Sequence, residues 1–286
     1  MGIPDSDNEA DGQRTKERKP RGMLGTPAAA ALCFAAAMLL YHIPLGPSMA
    51  ADALHACLAG VAALVCLALW AGREATGEND RHPAAPHNSL AGLIGLLCLV
   101  GALASVAVPL ATGSSEGAGA VSAWVSPQAS PMLLAVLAAS CLGTAVWEEI
   151  AFRRLAMEAV AGALEEGRTR RLMAACVCSA VFAMLHLPEM GAALPTALRA
   201  VQVFLFALAM AGLVEESGHL APAITAHALY DAICFAPAVL DISGSAWEIS
   251  ASSLMTLETS ISGMLASLLF LAPAAALGVR RLLAAR

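Results

Sequence analysis

The amino-acid sequence is dominated by long apolar segments, and a lipid bilayer is the environment in which such segments are stable. A helix that crosses a bilayer needs about 20 mostly apolar residues. Eight segments approach this requirement, at residues 26–44, 50–71, 89–112, 131–153, 171–190, 196–214, 219–240 and 259–282. The sequence therefore predicts an all-α fold, a polytopic bundle of about eight transmembrane helices.

Composition favours the same class of protein. Hydrophobic residues make up 58% of the chain and charged residues 13%, whereas an ordinary soluble domain has about 45–50% and about 25%. The eight cysteines lie in apolar stretches without CxxC spacing, so they are expected to be packing residues. The charged residues are concentrated in tails and loops, so the net charge of −6 indicates little about partners, and we expect no nucleic-acid partner.

The basic residues alternate between the connections of the predicted spans. Short cytoplasmic segments retain Lys and Arg. Bases fall in every second connection: in the N-terminal tail, at Arg73 and Arg81, between residues 153 and 171, and at Arg280, Arg281 and Arg286. Only Arg199 falls on the outer side, where we expect it to reach the lipid headgroups. The chain is therefore predicted to lie in a bacterial inner membrane with both termini in the cytoplasm.

The chain divides into four predicted regions. Residues 1–25 are polar and charged, which is typical of a disordered cytoplasmic tail. Residues 26–112 contain three N-terminal transmembrane helices, and residues 259–286 contain a C-terminal one. Residues 131–240 form a helical core, which holds the polar motifs described next.

Three short polar motifs lie within predicted spans. An ionisable side chain in a membrane helix costs a few kcal/mol, which makes it a functional candidate. The motifs are EExxxR with Glu148, Glu149 and Arg153, FxxxH with Phe182 and His186, and HxxxD with His227 and Asp231.

The spacing within the motifs assigns different positions to the two glutamates. Residues four apart share one face of a helix. Glu149 is thus predicted to pair with Arg153, which leaves Glu148, about 100° round the helix, facing a different neighbour. The same spacing puts the two polar members of each other motif on one helix face.

A helical hairpin is predicted to bring the first two motifs together. If the fourth helix continues through Leu155–Leu164 and turns near Gly167, then Glu148 and His186 are each 19 residues from the turn. In antiparallel helices both residues would lie at the same height, about 28 Å from the turn. His227 reaches a similar depth in its own span.

A carboxylate and two imidazoles in an apolar pocket can activate water. Withdrawal from water makes a carboxylate a stronger base, which suits a general base. Imidazoles can orient the water or stabilise the oxyanion that forms when it attacks a carbonyl group. Asp231 can either fix the tautomer of His227 or bind the oxyanion if protonated. Phe182 is either a packing residue or an aromatic wall that orients His186.

The motifs EEIAFR, FAMLH and HALYD, in this order on successive helices, resemble the signature of the CPBP family. The family of CAAX proteases and bacteriocin-processing proteins includes the type II CAAX prenyl endopeptidases. The run SGHLAPAITAHALYD is also similar to the stretch that leads into the last motif of the family. The resemblance covers about residues 131–240 and implies that this region is the catalytic core of an intramembrane protease.

The resemblance also implies residue roles. The expected substrate is a membrane-associated peptide or protein within the lipid bilayer, and the mechanism requires no cofactor. The implied roles are those of a water-activating base for Glu148, a structural pair for Glu149 and Arg153, and water and oxyanion ligands for His186, His227 and Asp231. Phe182 would contribute to the substrate pocket.

Two positions depart from the family pattern. Arg154 stands where the family often has glycine, and Asp231 where it often has asparagine. An additional carboxylate favours a cation, so a zinc-dependent protease with Glu148, His186 and His227 as ligands is an alternative. A catalytically silent membrane protein that binds a peptide or confers immunity is the alternative from another class.

Overall fold

The structure is a computed structural model that describes residues 27–41, 43, 45–46, 48–74, 88–112, 129–167, 169–187, 193–240 and 261–284. The predicted tail at residues 1–25 lies outside the described residues. Within the described residues 91% are helical and none forms a strand. The predicted all-α fold class is therefore confirmed.

The described residues form eight helices along the chain. They are α1 (Pro27–Tyr41), α2 (Met49–Glu74), α3 (Asn88–Ala111), α4 (Pro131–Ala163), α5 (Arg170–Leu185), α6 (Ala193–Ser217), α7 (Ala221–Leu240) and α8 (Ile261–Ala284). Six of these are long and apolar enough to cross a membrane. The other two, α1 with 15 residues and α5 with 16, reach about 22 to 24 Å. Both are shorter than a hydrocarbon core of about 30 Å, so six of the eight helices reach the length of a span by themselves.

The fifth helix ends earlier than predicted. Its last residue is Leu185, although the apolar segment continues to residue 190. The amides of His186 and Leu187 bond to carbonyl groups three residues back, which closes a tight turn. Pro188 follows, and the residue before a proline is disfavoured in helical conformation. The polar group of His186 is thereby placed at a helix end.

The fourth helix continues beyond the predicted span at residues 131–153, as the predicted hairpin requires, and it is not uniform. It consists of an α-helix at Pro131–Glu148, a π-helix at Glu149–Ala156 and a final α-helical part at Met157–Ala163. Its start is capped by Ser130, whose side chain accepts from the amide of Leu133 at 3.2 Å. The chain turns at Gly167 and begins α5 at Arg170, as the predicted hairpin requires.

Ion pairs join four helices at the end of the bundle where this hairpin turns. Arg171 of α5 contacts Glu158 of α4 at 2.8 Å and Glu215 of α6 at 3.7 Å. Arg281 of α8 lies 2.8 Å from Glu216 of α6.

The helices differ in how far they are enclosed by the rest of the protein. Within the span of α6, 56% of residues are buried, compared with 22% in α3, so α6 is far more enclosed than α3.

Close contact of α2 with α4 depends on Gly143, and this generates a first prediction. A Cβ atom at Gly143 would lie 2.6 Å from the backbone of both Ala56 and Cys57. We expect Gly143→Ala to destabilise the protein by about 1–3 kcal/mol, because the two helices must move apart. The measurement is the Tm in detergent. Gly95→Ala is the matched control, since a Cβ there meets nothing within 4 Å. Equal Tm values for the two variants would contradict the close approach.

Candidate active site

Helices α4, α5 and α7 bring the three polar motifs to one cavity of about 180 Å³. The motif residues that line it are Glu148, Phe182, His186, His227 and Asp231. Glu149 and Arg153 lie behind this wall, with 0% and 3% of their surface exposed. The first motif is thus divided into one glutamate that faces the cavity and one that is enclosed by protein.

His227 occupies the centre of the cluster. Its Nδ1 lies 2.8 Å from Oε1 of Glu149. Its Nε2 lies 3.5 Å from Oε2 of Glu148 and 3.5 Å from Oδ2 of Asp231. The edge of Phe206 packs against the ring, with 4.9 Å between the ring centroids. Every polar edge of the imidazole therefore faces a carboxyl group.

The neighbours of His227 determine how its ring is oriented. Nε of Arg153 lies 3.4 Å from Oε2 of Glu149, and an arginine is always charged. The ionised carboxylate that balances this charge only accepts hydrogen bonds, so Nδ1 of His227 donates to Glu149. Nε2 is thereby directed into the cavity.

This contact bears on the two roles that the sequence left open for Asp231. Of the two roles open for Asp231, fixing the tautomer of His227 falls to Glu149, because Glu149 makes the 2.8 Å contact at Nδ1. Asp231 lies 3.5 Å from the other ring nitrogen, on the cavity side. Asp231 is thus a wall residue of the cavity, beside Nε2 of His227.

His186 approaches Glu148 from the opposite side. Its Nδ1 lies 2.8 Å from the carbonyl oxygen of Phe182, so Nδ1 carries the proton and donates it. Nε2 lies 4.0 Å from Oε1 of Glu148. The predicted equal height of Glu148 and His186 in the hairpin agrees with this distance. Glu148 therefore lies between two imidazoles.

Phe182 connects the first motif to the second. Its ring centroid lies 4.4 Å from that of His186 and 5.0 Å from that of Phe152. The guanidinium carbon of Arg153 lies 4.9 Å from the same centroid, in a cation–π contact. Both interpretations of Phe182 hold together, since it packs in the core and also forms a wall beside His186.

The π-helical segment coincides with the first motif. The amide of Met157 bonds to the carbonyl of Phe152, five residues earlier. Such segments often occur at functional sites. The residue types of Glu149–Ala156 do not indicate a π-helix, so sequence reasoning predicted ordinary α-helical spacing there. The expected pairing of Glu149 with Arg153 is nevertheless present.

The N-terminal helices contribute cavity residues that the sequence did not indicate. Tyr41 of α1 and Asp52 of α2 line the cavity. The ring of Tyr41 stacks on Trp147 with 3.9 Å between centroids, and Trp147 donates from Nε1 to the carbonyl of Ala37. No sequence pattern marks Tyr41, because its role depends on contact with a distant helix.

Arg199 has a position that the sequence did not indicate. In addition to the predicted reach towards the lipid headgroups, it lines the same cavity as Glu148. One sequence signal could have indicated that Arg199 faces the cavity. A cation in an apolar helix is costly, and such a residue is a functional candidate.

The suggested zinc ligands do not form a metal centre in this arrangement. Among the residues that the structure describes, no group of three or more His, Cys, Asp or Glu side chains is arranged to hold a metal ion. Glu148 lies 3.5 Å from one imidazole and 4.0 Å from the other. We derive no step through a metal.

Comparison with known proteins agrees with the motif pattern. Residues 130–233 match the family model described as Rce1-like, type II CAAX prenyl endopeptidase Rce1-like. The match covers a little over a third of the chain and contains all three motifs. No curated protein and no solved structure is significantly similar to the chain.

The buried pair of Glu149 and Arg153 generates a second prediction. We expect Arg153→Met to lower the free energy of unfolding by about 3–5 kcal/mol, because it leaves the Glu149 carboxylate buried without its cation. Thermal or denaturant unfolding in detergent measures this loss. The double variant Glu149→Gln with Arg153→Met should recover much of it.

Arg154→Met is the matched control for this experiment. Arg154 is 33% exposed in its side chain and lies 3.8 Å from Glu158. A contact of this kind contributes up to about 1 kcal/mol. Equal losses at the two neighbouring arginines would contradict the importance of the buried pair.

Proposed function

We propose that this chain is an intramembrane peptidase of the CPBP type and that Glu148 activates the water with which it cleaves its substrate. Residues 130–233 match the Rce1-like family model, and the helices around them are long and apolar enough to cross a membrane. The substrate is a peptide bond in a membrane-associated peptide or protein. The observation that carries the proposal is the division of the two glutamates. Glu148 lines the cavity between two imidazoles, whereas Glu149 is paired with Arg153 behind His227.

The proposed reaction begins with a water beside Glu148. The carboxylate takes one proton from this water. Nε2 of His186 accepts a hydrogen bond from the other O–H group and so orients the water. The hydroxide oxygen attacks the carbonyl carbon of the scissile bond. The resulting oxyanion is stabilised by Nε2–H of His227 and by protonated Asp231. Glu148 then gives its proton to the amine, and the bond breaks into a carboxylic acid and an amine.

The surroundings of His227 support its part in this reaction. In the doubly protonated form its charge lies between two carboxyl groups, Glu149 at 2.8 Å from Nδ1 and Glu148 at 3.5 Å from Nε2. The ring is 3% exposed and held by Phe206, so its Nε2 keeps one direction. A donor that is already oriented needs no reorganisation when the oxyanion forms.

The substrate we propose is a bacteriocin, a sorting signal or another membrane-anchored peptide, rather than a prenylated protein. A bacterial cell has few prenylated substrates. We propose a bacterial source because arginine far outnumbers lysine and alanine is abundant, which is typical of a GC-rich bacterial genome. This choice of substrate follows from context and not from the cavity residues.

Substitution of the proposed base provides the direct test. We expect Glu148→Gln to reduce cleavage by about 10²–10⁴-fold, because the amide cannot take a proton from water. His227→Ala should cause a loss of similar size. The measurement is mass spectrometry of fragments released by purified protein from membrane peptides that accumulate in a deletion strain. Both variants should remain folded in the membrane.

Glu165→Gln is the matched control, because Glu165 is exposed in the hairpin turn. It should retain full cleavage. Full activity of both Glu148→Gln and His227→Ala would refute proteolysis at this site and leave the silent binding or immunity protein. Activity is also expected to persist with a chelator. Loss on chelation and recovery with zinc would replace the glutamate mechanism by the zinc-dependent alternative.

We also propose that the protein lies in the bacterial inner membrane with both termini in the cytoplasm. The alternation of basic connections supports this orientation. The positions of Arg171 and Arg281 at one end of the bundle agree with it.

Reporter fusions test the orientation. Alkaline phosphatase fused after Arg286 should be inactive, whereas the same reporter inserted between α1 and α2 should be active, because this enzyme matures only outside the cytoplasm. Activity of the C-terminal fusion would contradict the proposed orientation.

A further inference from the structure

Arg199 is a cation in the wall of an otherwise acidic cavity. Among the described residues that line the cavity it is the one Lys or Arg side chain, and the other walls carry Asp52, Glu148 and Asp231. Arg199 lies in α6 within an apolar span. A charge in such a position is costly, which marks it for a functional or pairing role.

A chain of buried polar groups supports Arg199 from behind. Its Nη1 donates to Oε1 of Gln202 at 3.3 Å. Nε2 of the same amide donates to the hydroxyl of Tyr230 at 3.1 Å, and this hydroxyl lies 3.4 Å from Oγ of Ser267. Because a guanidinium only donates, Gln202 must turn its oxygen towards Arg199.

This support distinguishes Arg199 from an arginine that reaches for lipid headgroups. Gln202 is 3% exposed and Ser267 is fully buried, so the amide has a fixed position. A snorkelling side chain keeps its charged end in water and needs no buried partner. The arrangement instead orients the guanidinium relative to the cavity. Arg199, His186 and Glu148 line the same cavity, so the guanidinium shares this space with the proposed reacting groups.

The chemistry of the guanidinium indicates its ligand. Its planar set of donors matches the two oxygens of a carboxylate and binds them with charge-assisted hydrogen bonds. Because Glu148 and Arg199 line one cavity, a peptide whose scissile carbonyl lies at Glu148 would have a neighbouring part within this cavity. The carboxylates of Asp52 and Glu148 on the other walls repel an anion, so a bound carboxylate is directed to Arg199.

We infer that Arg199 forms a carboxylate-binding subsite for the substrate, supported by Gln202 and Tyr230. The carboxylate is either the free C-terminus of the peptide or an acidic side chain near the scissile bond. This inference rests on the proposed peptidase function, and it adds the selection of an anionic group to it.

The test measures binding in the Glu148→Gln background, where a bound peptide is not cut. The probe is a short fluorescent Leu/Ala peptide in three forms: with a free C-terminal carboxylate, with a C-terminal amide, and with an amide plus one internal Glu. Fluorescence anisotropy in detergent gives the Kd of each form. We expect at least one anionic form to bind about tenfold more tightly than the neutral amide.

Substitution of Arg199 assigns this preference. In Arg199→Gln the anionic and neutral forms should bind equally. Arg280→Gln is the control, because it removes an exposed cation from the far end of α8, and it should keep the tenfold preference. Arg199→Lys keeps the charge without the planar donor set and should keep part of the preference, which provides a second variant if Arg199→Gln does not fold.

Two results would overturn the inference. One is equal binding, or no binding, of all three forms by the protein that retains Arg199, which would indicate that this arginine only balances the acids of the cavity. The other is a preference that persists in Arg199→Gln. Neither result depends on cleavage, so the inference and the peptidase function can fail separately. Tighter binding of the free C-terminus or of the internal Glu identifies which carboxylate the subsite takes.

Discussion

A charge buried in a membrane helix requires a partner, and Arg153 is such a charge. Its partner is Glu149, and the second oxygen of Glu149 accepts from Nδ1 of His227. The carboxylate that neutralises Arg153 therefore also orients the imidazole of His227, which lies on a different helix. Because Glu149 is engaged on both oxygens, its neighbour Glu148 is the glutamate that faces the cavity.

Much of the site follows from the regularity of helices. Counting 19 residues on either side of Gly167 predicts that Glu148 and His186 meet, and their side chains lie 4.0 Å apart. The pairing of Glu149 with Arg153 follows from a spacing of four residues. These features depend on local geometry, which is similar in every α-helix, so a single sequence is sufficient to predict them.

The features that could not be predicted depend on contacts between distant segments. A cation in an apolar span can either reach the lipid headgroups or face an internal cavity, and its position in the sequence is the same in both cases. For Arg199 the outcome is decided by Gln202, Tyr230 and Ser267, which no pattern connects. The partner of Nδ1 in His227 likewise depends on how α7 packs against α4. The π-helical segment also depends on packing. The early end of α5 reflects the following proline, whose effect on the backbone is not part of a hydropathy count.

The residues in and behind the cavity wall come both from the family-matched range and from helices outside it. The reacting groups and their buried ion pair all lie between residues 130 and 233, whereas Tyr41 and Asp52 in the wall, and Ser267 behind it, lie outside this range. A substitution at Tyr41 or Asp52 changes the shape or charge of the cavity and replaces none of the reacting groups. The outer helices can therefore modify what the cavity accepts, within the limits set by their packing against the first motif.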